Sequence, residues 1–479
     1  MTVQPPSDID ELAKSLAQIV GSHNVTSDQD TLARLSSDFS LEHFVTAELA
    51  VHPANVNEVR GLVIAANNAS WSIAIRGGAM SYTLAHTPQY PKTLLVDLKR
   101  LTAVREISTE DRFVIVEAGV TWENLYLELS ERGLRTPFWG PLSGRRATIG
   151  GSISQDSVFF GSERYGSAAS SVLGLEVVLA NGDLLHTGSW AHQGGLPFSR
   201  YFGPDLTGIF LADSGLLGVK TAIALRVIAA PKVMRVMSFH CASQSEALRV
   251  MRQISETGCA SDVVAYDSFY HGLLSAIGFV ELATVPWSVH ATVEGGDEAT
   301  VQAQLSEISR SVPQETTRHD GGPALSLLAD PFGATQLMFS SIEPGVHLPV
   351  HAVVPFSRSV LAAEVLDHFL VEFGGQLAEH GVGVWQLMTL ASGTVVIEPS
   401  LYFKGDYRDP SVNAPTVSLA RELRTELASR FDAIGAIHTQ LARFYNFSGV
   451  IEPESLEVLR GIKSVLDPER TLNPGVLGI

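Results

Sequence analysis

The chain has 479 residues, 45% of them hydrophobic and 18% charged: the composition of a folded globular protein too long for one ordinary core. Lys and Arg number 33 against 51 Asp and Glu, a net charge of −18. That balance argues against nucleic acid and anionic membrane as partners, since both require an excess of cations. The two cysteines, Cys241 and Cys259, form no CxxC pair, so neither a disulfide framework nor a thiolate metal site is expected. The acidic, polar N-terminus and the lack of an apolar run of roughly 18 residues point to a cytoplasmic protein.

In chain order, residues 8–44 read as short helices with polar connections. Asn55, with Glu58 three residues on, predicts a capped helix whose apolar face carries Val56, Val59, Leu62, Val63 and Ala66. The alternating run Trp71–Ile75 predicts a strand that ends in Arg76-Gly77-Gly78-Ala79-Met80-Ser81. Leu94–Val96 and Val114–Val116 are further strands, and Thr121 caps a helix that turns Trp122, Leu125 and Leu129 inward. Residues 137–170 are rich in glycine and serine, without a period, and read as a long functional loop. Asn181-Gly182 between two apolar runs predicts a hairpin with a type I′ turn. After Pro231 strands and helices alternate: strands at Val236–His240 and His290–Glu294, helices at Ser243–Ile254 and Glu298–Ile308, then a strand, a helix and two more strands from Val350. This predicts a second α+β unit on one open sheet. A helix over Pro453–Val465 precedes a tail punctuated by Pro and Gly.

Three glycine clusters, Arg76–Ser81, Thr148–Ser152 and Gly203–Gly218, adjoin strand-like runs. Glycine lets another group touch the backbone, and successive N–H groups in such turns form anion-binding nests. Such nests cradle a pyrophosphate without many cationic side chains, which suits an acidic protein. No GxGxxG opens a helix after the first strand and no GxxxxGK[ST] occurs, so a Rossmann fold and a P-loop NTPase are disfavoured. No HExxH suggests a metal site.

In order, these segments resemble the FAD-linked oxidase superfamily of the vanillyl-alcohol oxidase and p-cresol methylhydroxylase type, strongly over residues 45–230 and again from Asp467-Pro468 to Leu472-Asn473-Pro474-Gly475. The resemblance implies an α+β fold: a two-subdomain FAD-binding domain plus a cap with an antiparallel sheet flanked by helices. The corresponding division is a helical segment 1–44, an FAD-binding domain 45–230, a cap 231–430 and a returning segment 431–479. It also implies that Arg76, Gly77, Gly78, Ala79, Met80 and Ser81 hold the FAD pyrophosphate, and that Thr148, Ile149, Gly150 and Gly151 run along the flavin. Pro141, Ser154, Gly161, Tyr165, Gly215, Gly218, Val219 and Asn473 complete the implied cofactor set. Ala79 stands where the family has glycine, so this position is expected to need no positive φ. Some relatives join FAD to a histidine where this chain has Met80, and a thioether cannot make that bond. Others use a cap histidine or tyrosine, for which His347 and His351 are placed; the expectation is non-covalent FAD.

The resemblance implies hydride transfer from a hydroxyl-bearing small molecule, an alcohol or a phenol, to the flavin, with oxygen or another acceptor reoxidising it. The carboxylate that phenol oxidases carry near the flavin is replaced here by Ser167, with Asp156 or Glu163 as substitutes. The metal-binding motif of the D-2-hydroxy-acid dehydrogenases is missing. His438, about 35 residues before the terminal Asn-Pro-Gly, is the candidate base, and reads equally as a structural histidine. Tyr402 and Tyr445 are further catalytic candidates, Glu398 lies nearby in the sequence, and Arg164 and Arg443 are candidate carboxylate ligands. A D-2-hydroxy-acid dehydrogenase, a flavin-dependent lyase or group-transfer enzyme and a non-catalytic FAD module are the alternatives. A homodimer is compatible with the family.

Overall fold

The computed structural model describes residues 8–276, 285–319, 328–333, 345–405 and 414–479. Its first sheet has four strands in the order Val25–Thr26, Leu49–Val51, Thr93–Asp97, Ser72–Arg76, the last three running parallel. Parallel strands need a crossover, and the helix Val56–Asn68 supplies it. Asn55 caps this helix by accepting the Glu58 N–H at 3.0 Å, while Glu58 accepts the Ala54 N–H at 2.7 Å. The face carrying Val59, Leu62, Val63 and Ala66 is buried.

The second sheet is antiparallel, in the order Val104–Ser108, Phe113–Glu117, Val219–Arg226, Val172–Val178, Leu184–His186. Its hairpin falls at Asn181-Gly182, but the turn differs from the expected type. Gly182 has φ +82°, Asn181 is not left-handed, and the Gly182 N–H donates to the Leu179 carbonyl at 2.9 Å. This is a three-residue pattern with glycine at the left-handed position, favoured because the Asn181 side chain accepts the Asp183 N–H at 2.9 Å.

The largest sheet joins Arg318–His319, Val233–Cys241, Trp287–Gly295, Ala260–Asp267, Gly383–Ala391, Thr394–Lys404 and Gly345–Pro349, with Ala352–Pro355 also on Thr394–Lys404. Every pairing is antiparallel. The helices Gln244–Glu256, Phe356–Glu379 and Ala414–Ala433 bury apolar faces against it. The C-terminal tail returns to the first sheet: Leu472 bridges Ile73, and the Asn473 carboxamide accepts the Ile75 N–H at 3.0 Å and donates to the Ser214 carbonyl at 2.8 Å.

The long segment 137–170 contains order that lack of periodicity concealed: short helices Ile149–Gln155 and Ser162–Tyr165. Thr148 caps the first through the Gly151 N–H at 3.3 Å. Ala79 also overturns an expectation, because its φ is +54°. A left-handed alanine costs about 1–2 kcal/mol, against about 0.4–1 kcal/mol for the extra unfolded freedom of glycine. Ala79→Gly is therefore expected to be neutral or to stabilise by up to about 1 kcal/mol in urea unfolding. A clear loss of stability would show that the conformation is unstrained.

Candidate active site

A cleft of about 1700 Å³, open mouth included, runs from the end of strand Ser72–Arg76 to the largest sheet. One end is lined by Gly77, Gly78, Ala79, Met80 and Ser81, by Thr148, Gly150, Gly151 and Ser154, and by Pro141, Gly215, Gly218 and Asn473. Among the described residues, no backbone N–H from Gly78 to Tyr82 donates to a protein acceptor. A row of open N–H groups fits a pyrophosphate. The glycines are needed for closure: a Cβ on Gly77 would lie 2.6 Å from Thr148 Oγ1, and one on Gly78 only 1.9 Å from the Arg146 carbonyl oxygen. The loop is thereby pressed against the segment that starts the helix Ile149–Gln155.

The remaining members of the expected cofactor set stand behind this wall. Arg76 pairs with buried Asp97 at 2.7 Å and fixes the loop rather than facing the cleft. Ile149 and Val219 are core residues. Gly161 donates its N–H to Asp262, and Tyr165 donates its hydroxyl to Glu294 at 2.8 Å.

The other end of the cleft holds Tyr82, Tyr270, His347, His351, Trp385, Glu398 and Gln440. Tyr82 Oη lies 3.1 Å from His351 Nε2 and accepts from Gln440 Nε2 at 3.1 Å. His351 Nε2 also lies 3.4 Å from Glu398 Oε2. Burial, reinforced by the Glu398 charge, holds the Tyr82 phenol well above its usual range, so it stays protonated at neutral pH. Burial lowers His347 to about 4, so its imidazole is neutral; its Nδ1 accepts the Trp385 indole N–H at 3.0 Å. Trp385 and Tyr270, with ring centroids 4.6 Å apart, form an aromatic wall.

None of the four catalytic candidates lines the cleft. His438 is spent on structure: Nδ1 lies 2.5 Å from the His351 carbonyl, Nε2 2.9 Å from Asp432, and the ring stacks on Tyr445 at 4.0 Å. Tyr445 accepts the His351 N–H at 2.8 Å, so both residues support His351 from behind. Asp156 turns away to accept the Ala169 N–H at 3.3 Å, and Tyr402 packs on His347 at 5.0 Å without reaching the cleft. Glu163 accepts from Ser255 at 2.5 Å and from the Gly393 N–H at 3.2 Å. Arg164 donates to the Cys259 carbonyl, and Arg443 to the carbonyls of Leu84, Ala85 and Pro474. Neither guanidinium is placed for a substrate carboxylate. The sequence reading missed Tyr82, Tyr270, Trp385 and Gln440, and weighed His351 only as a flavin anchor. The one available signal was the position of Tyr82, directly after the glycine loop.

Two buried carboxyls beside the cleft titrate near neutrality. Burial pushes Asp262 up to about 7, with the Glu294 charge adding to it and the Gly161 hydrogen bond opposing it. Burial also pushes Asp267 up to about 7 against the N–H groups of Tyr270 and Gln386. A carboxyl whose folded pKa is raised favours folding at low pH, and this contribution is lost as pH rises from about 4 through about 7. Asp262→Asn, which keeps an acceptor for Gly161, is expected to flatten the fall in stability over that window. Denaturant midpoints at pH 5 and pH 8 measure it; an unchanged difference between them would contradict the assignment.

A family model described as the FAD binding domain matches residues 47–188, and one described as the C-terminal domain of FAD-linked oxidases matches residues 446–477. Probable mitochondrial D-lactate dehydrogenase of Danio rerio is 24% identical, over 98% of this chain and 91% of its own. D-2-hydroxyglutarate dehydrogenase of Pantoea ananatis is 24% identical over 94% of this chain, which spans 49% of that relative. Among solved structures, 4-ethylphenol oxidase from Gulosibacter chungangensis has a TM-score of 0.79 at 16% identity, covering 100% of this chain and 98% of its own. p-Cresol methylhydroxylase has a TM-score of 0.78 at 17% identity with the same coverage. These structures share the fold, and no helix among the described residues is long and apolar enough to cross a membrane. With the FAD-binding segment around the cleft and the oxidase-type C-terminal segment returned to its first sheet, the chain is an FAD-dependent oxidoreductase of the FAD-linked oxidase superfamily.

Proposed function

We propose that the protein oxidises a neutral hydroxyl-bearing small molecule, an alcohol or a phenol, on non-covalently held FAD, with residues 231–430 acting as the substrate-side cap. The observation that carries this reading is the pairing of His351 with Glu398 and Tyr82 beside the Tyr270–Trp385 wall. Among the described residues lining the cleft the one Lys or Arg is Lys220, which Asp213 holds at 2.6 Å. A neutral, ring-bearing substrate suits that wall better than a carboxylate facing Glu398. Bound FAD supplies the hydride acceptor. The substrate hydroxyl passes its proton to Tyr82 Oη as Tyr82 passes its own to His351 Nε2, and Glu398 stabilises the resulting imidazolium.

The test is anaerobic bleaching of the flavin by aryl alcohols and alkylphenols, compared with D-lactate and D-2-hydroxyglutarate. Faster bleaching by the hydroxy acids would replace this reading with the second one, D-2-hydroxy-acid dehydrogenation, which the full-length similarity to a probable D-lactate dehydrogenase favours. Acid precipitation is expected to leave the yellow colour in the supernatant; colour in the pellet would mean a covalent link.

A further inference from the structure

Gln155, the last residue of the helix Ile149–Gln155, lines the cleft, and its side-chain oxygen is buried without a hydrogen-bond partner. The rest of the residue is committed. Its Nε2 donates to Ser214 Oγ at 2.8 Å, and its backbone carbonyl accepts the Gln440 N–H at 3.0 Å. Ser214 is itself fixed: its N–H donates to the Ser154 carbonyl at 2.9 Å, and its carbonyl accepts from Asn473 at 2.8 Å. The carboxamide nitrogen is thus used by Ser214, and the oxygen is left over. An orphaned acceptor beside a binding cleft is costly unless a ligand donor completes it.

We infer that Gln155 Oε1 is a direct hydrogen-bond acceptor for the bound FAD, taking an N–H or O–H of the cofactor as its missing donor. The inference rests on the assignment of FAD to this cleft. Oxidised FAD offers such donors in both halves: the ring N–H and ribityl hydroxyls of the flavin half, and the amino group and ribose hydroxyls of the adenosine half. Gln155 joins two sides of the cleft, Ser214 next to Gly215 and Gln440 next to the Tyr82–His351 pair. It would therefore set the depth of the cofactor relative to the substrate end.

The experiment uses the full chain, stripped of flavin and titrated with FAD, FMN and ADP, for wild type and Gln155→Leu. Leucine keeps the bulk and removes the acceptor. FAD binding is expected to weaken roughly 2- to 10-fold, the worth of one ordinary hydrogen bond. Parallel weakening for FMN with ADP unchanged places the donor in the flavin half, and weakening for ADP with FMN unchanged places it in the adenosine half; either supports the inference. Ser214→Ala, which frees the carboxamide from its anchor, is expected to weaken FAD in the same direction. Circular dichroism and denaturant midpoints exclude misfolding. Wild-type affinity for all three ligands in a folded Gln155→Leu protein would overturn the inference. A wild-type chain that takes up no FAD would overturn the cofactor assignment instead.

Discussion

Replacing His351 with glutamine is expected to leave FAD bound while slowing anaerobic flavin reduction by roughly 10²–10⁴-fold, the usual worth of a positioned general base. The imidazole is buried, the residue's backbone N–H is held by Tyr445, and Nε2 lies 3.1 Å from Tyr82 Oη and 3.4 Å from Glu398 Oε2. Glutamine fills similar space but cannot take up the proton. Tyr82→Phe removes the hydroxyl proposed to take the substrate proton, so it should cost a comparable factor in the rate. In Glu398→Gln the imidazolium loses its carboxylate and the loss should be smaller. A merely structural His351 would give a different pattern: a lowered unfolding midpoint or lost flavin, with the rate per bound flavin unchanged. His438→Gln separates the two, because His438 supports the His351 carbonyl from outside the cleft and should lower stability more than rate.

The glycine-lined end of the cleft was legible in the sequence because it is built from local segments. Gly77, Gly78, Thr148, Gly150 and Gly151 sit in two short runs, and each run brings its own backbone to the cleft. Arg76 and Ile149 belong to the same runs yet face away: Arg76, at the end of the strand Ser72–Arg76, is held by Asp97, and Ile149, the first residue of the helix Ile149–Gln155, is buried in the core, as is Val219 beside Gly218. The substrate end was not legible, for it is assembled across the chain: Tyr82 meets His351 across 269 residues and Gln440 across 358. No spacing rule encodes such a meeting, and His438 drew attention through its distance from the C-terminus and the usual basicity of an imidazole, neither of which reports its partners. Ala79 shows a related limit. Replacing a glycine suggested relaxed backbone, whereas packing of the loop against Arg146 and Thr148 imposes φ +54° on an alanine.

That packing makes Gly78→Ala the most damaging single methyl group on the flavin side. The added Cβ would stand 1.9 Å from the Arg146 carbonyl oxygen, 2.8 Å from its carbon and 3.2 Å from Ala147 Cα. All three are backbone atoms, so no side-chain rotation relieves the clash; the loop Gly77–Ser81 or the segment before Thr148 must move. Both carry cleft-lining groups. Forcing a methyl group into such a contact costs about 1–3 kcal/mol or more, and a shift of that size in the cofactor-bound state weakens FAD roughly 10- to 100-fold. The variant is expected to purify largely colourless, with near-native circular dichroism and a raised dissociation constant for added FAD. Gly272→Ala is the control, since a Cβ there meets nothing within 4 Å. A yellow Gly78→Ala protein with wild-type FAD affinity would mean that the Gly77–Ser81 loop does not carry the cofactor.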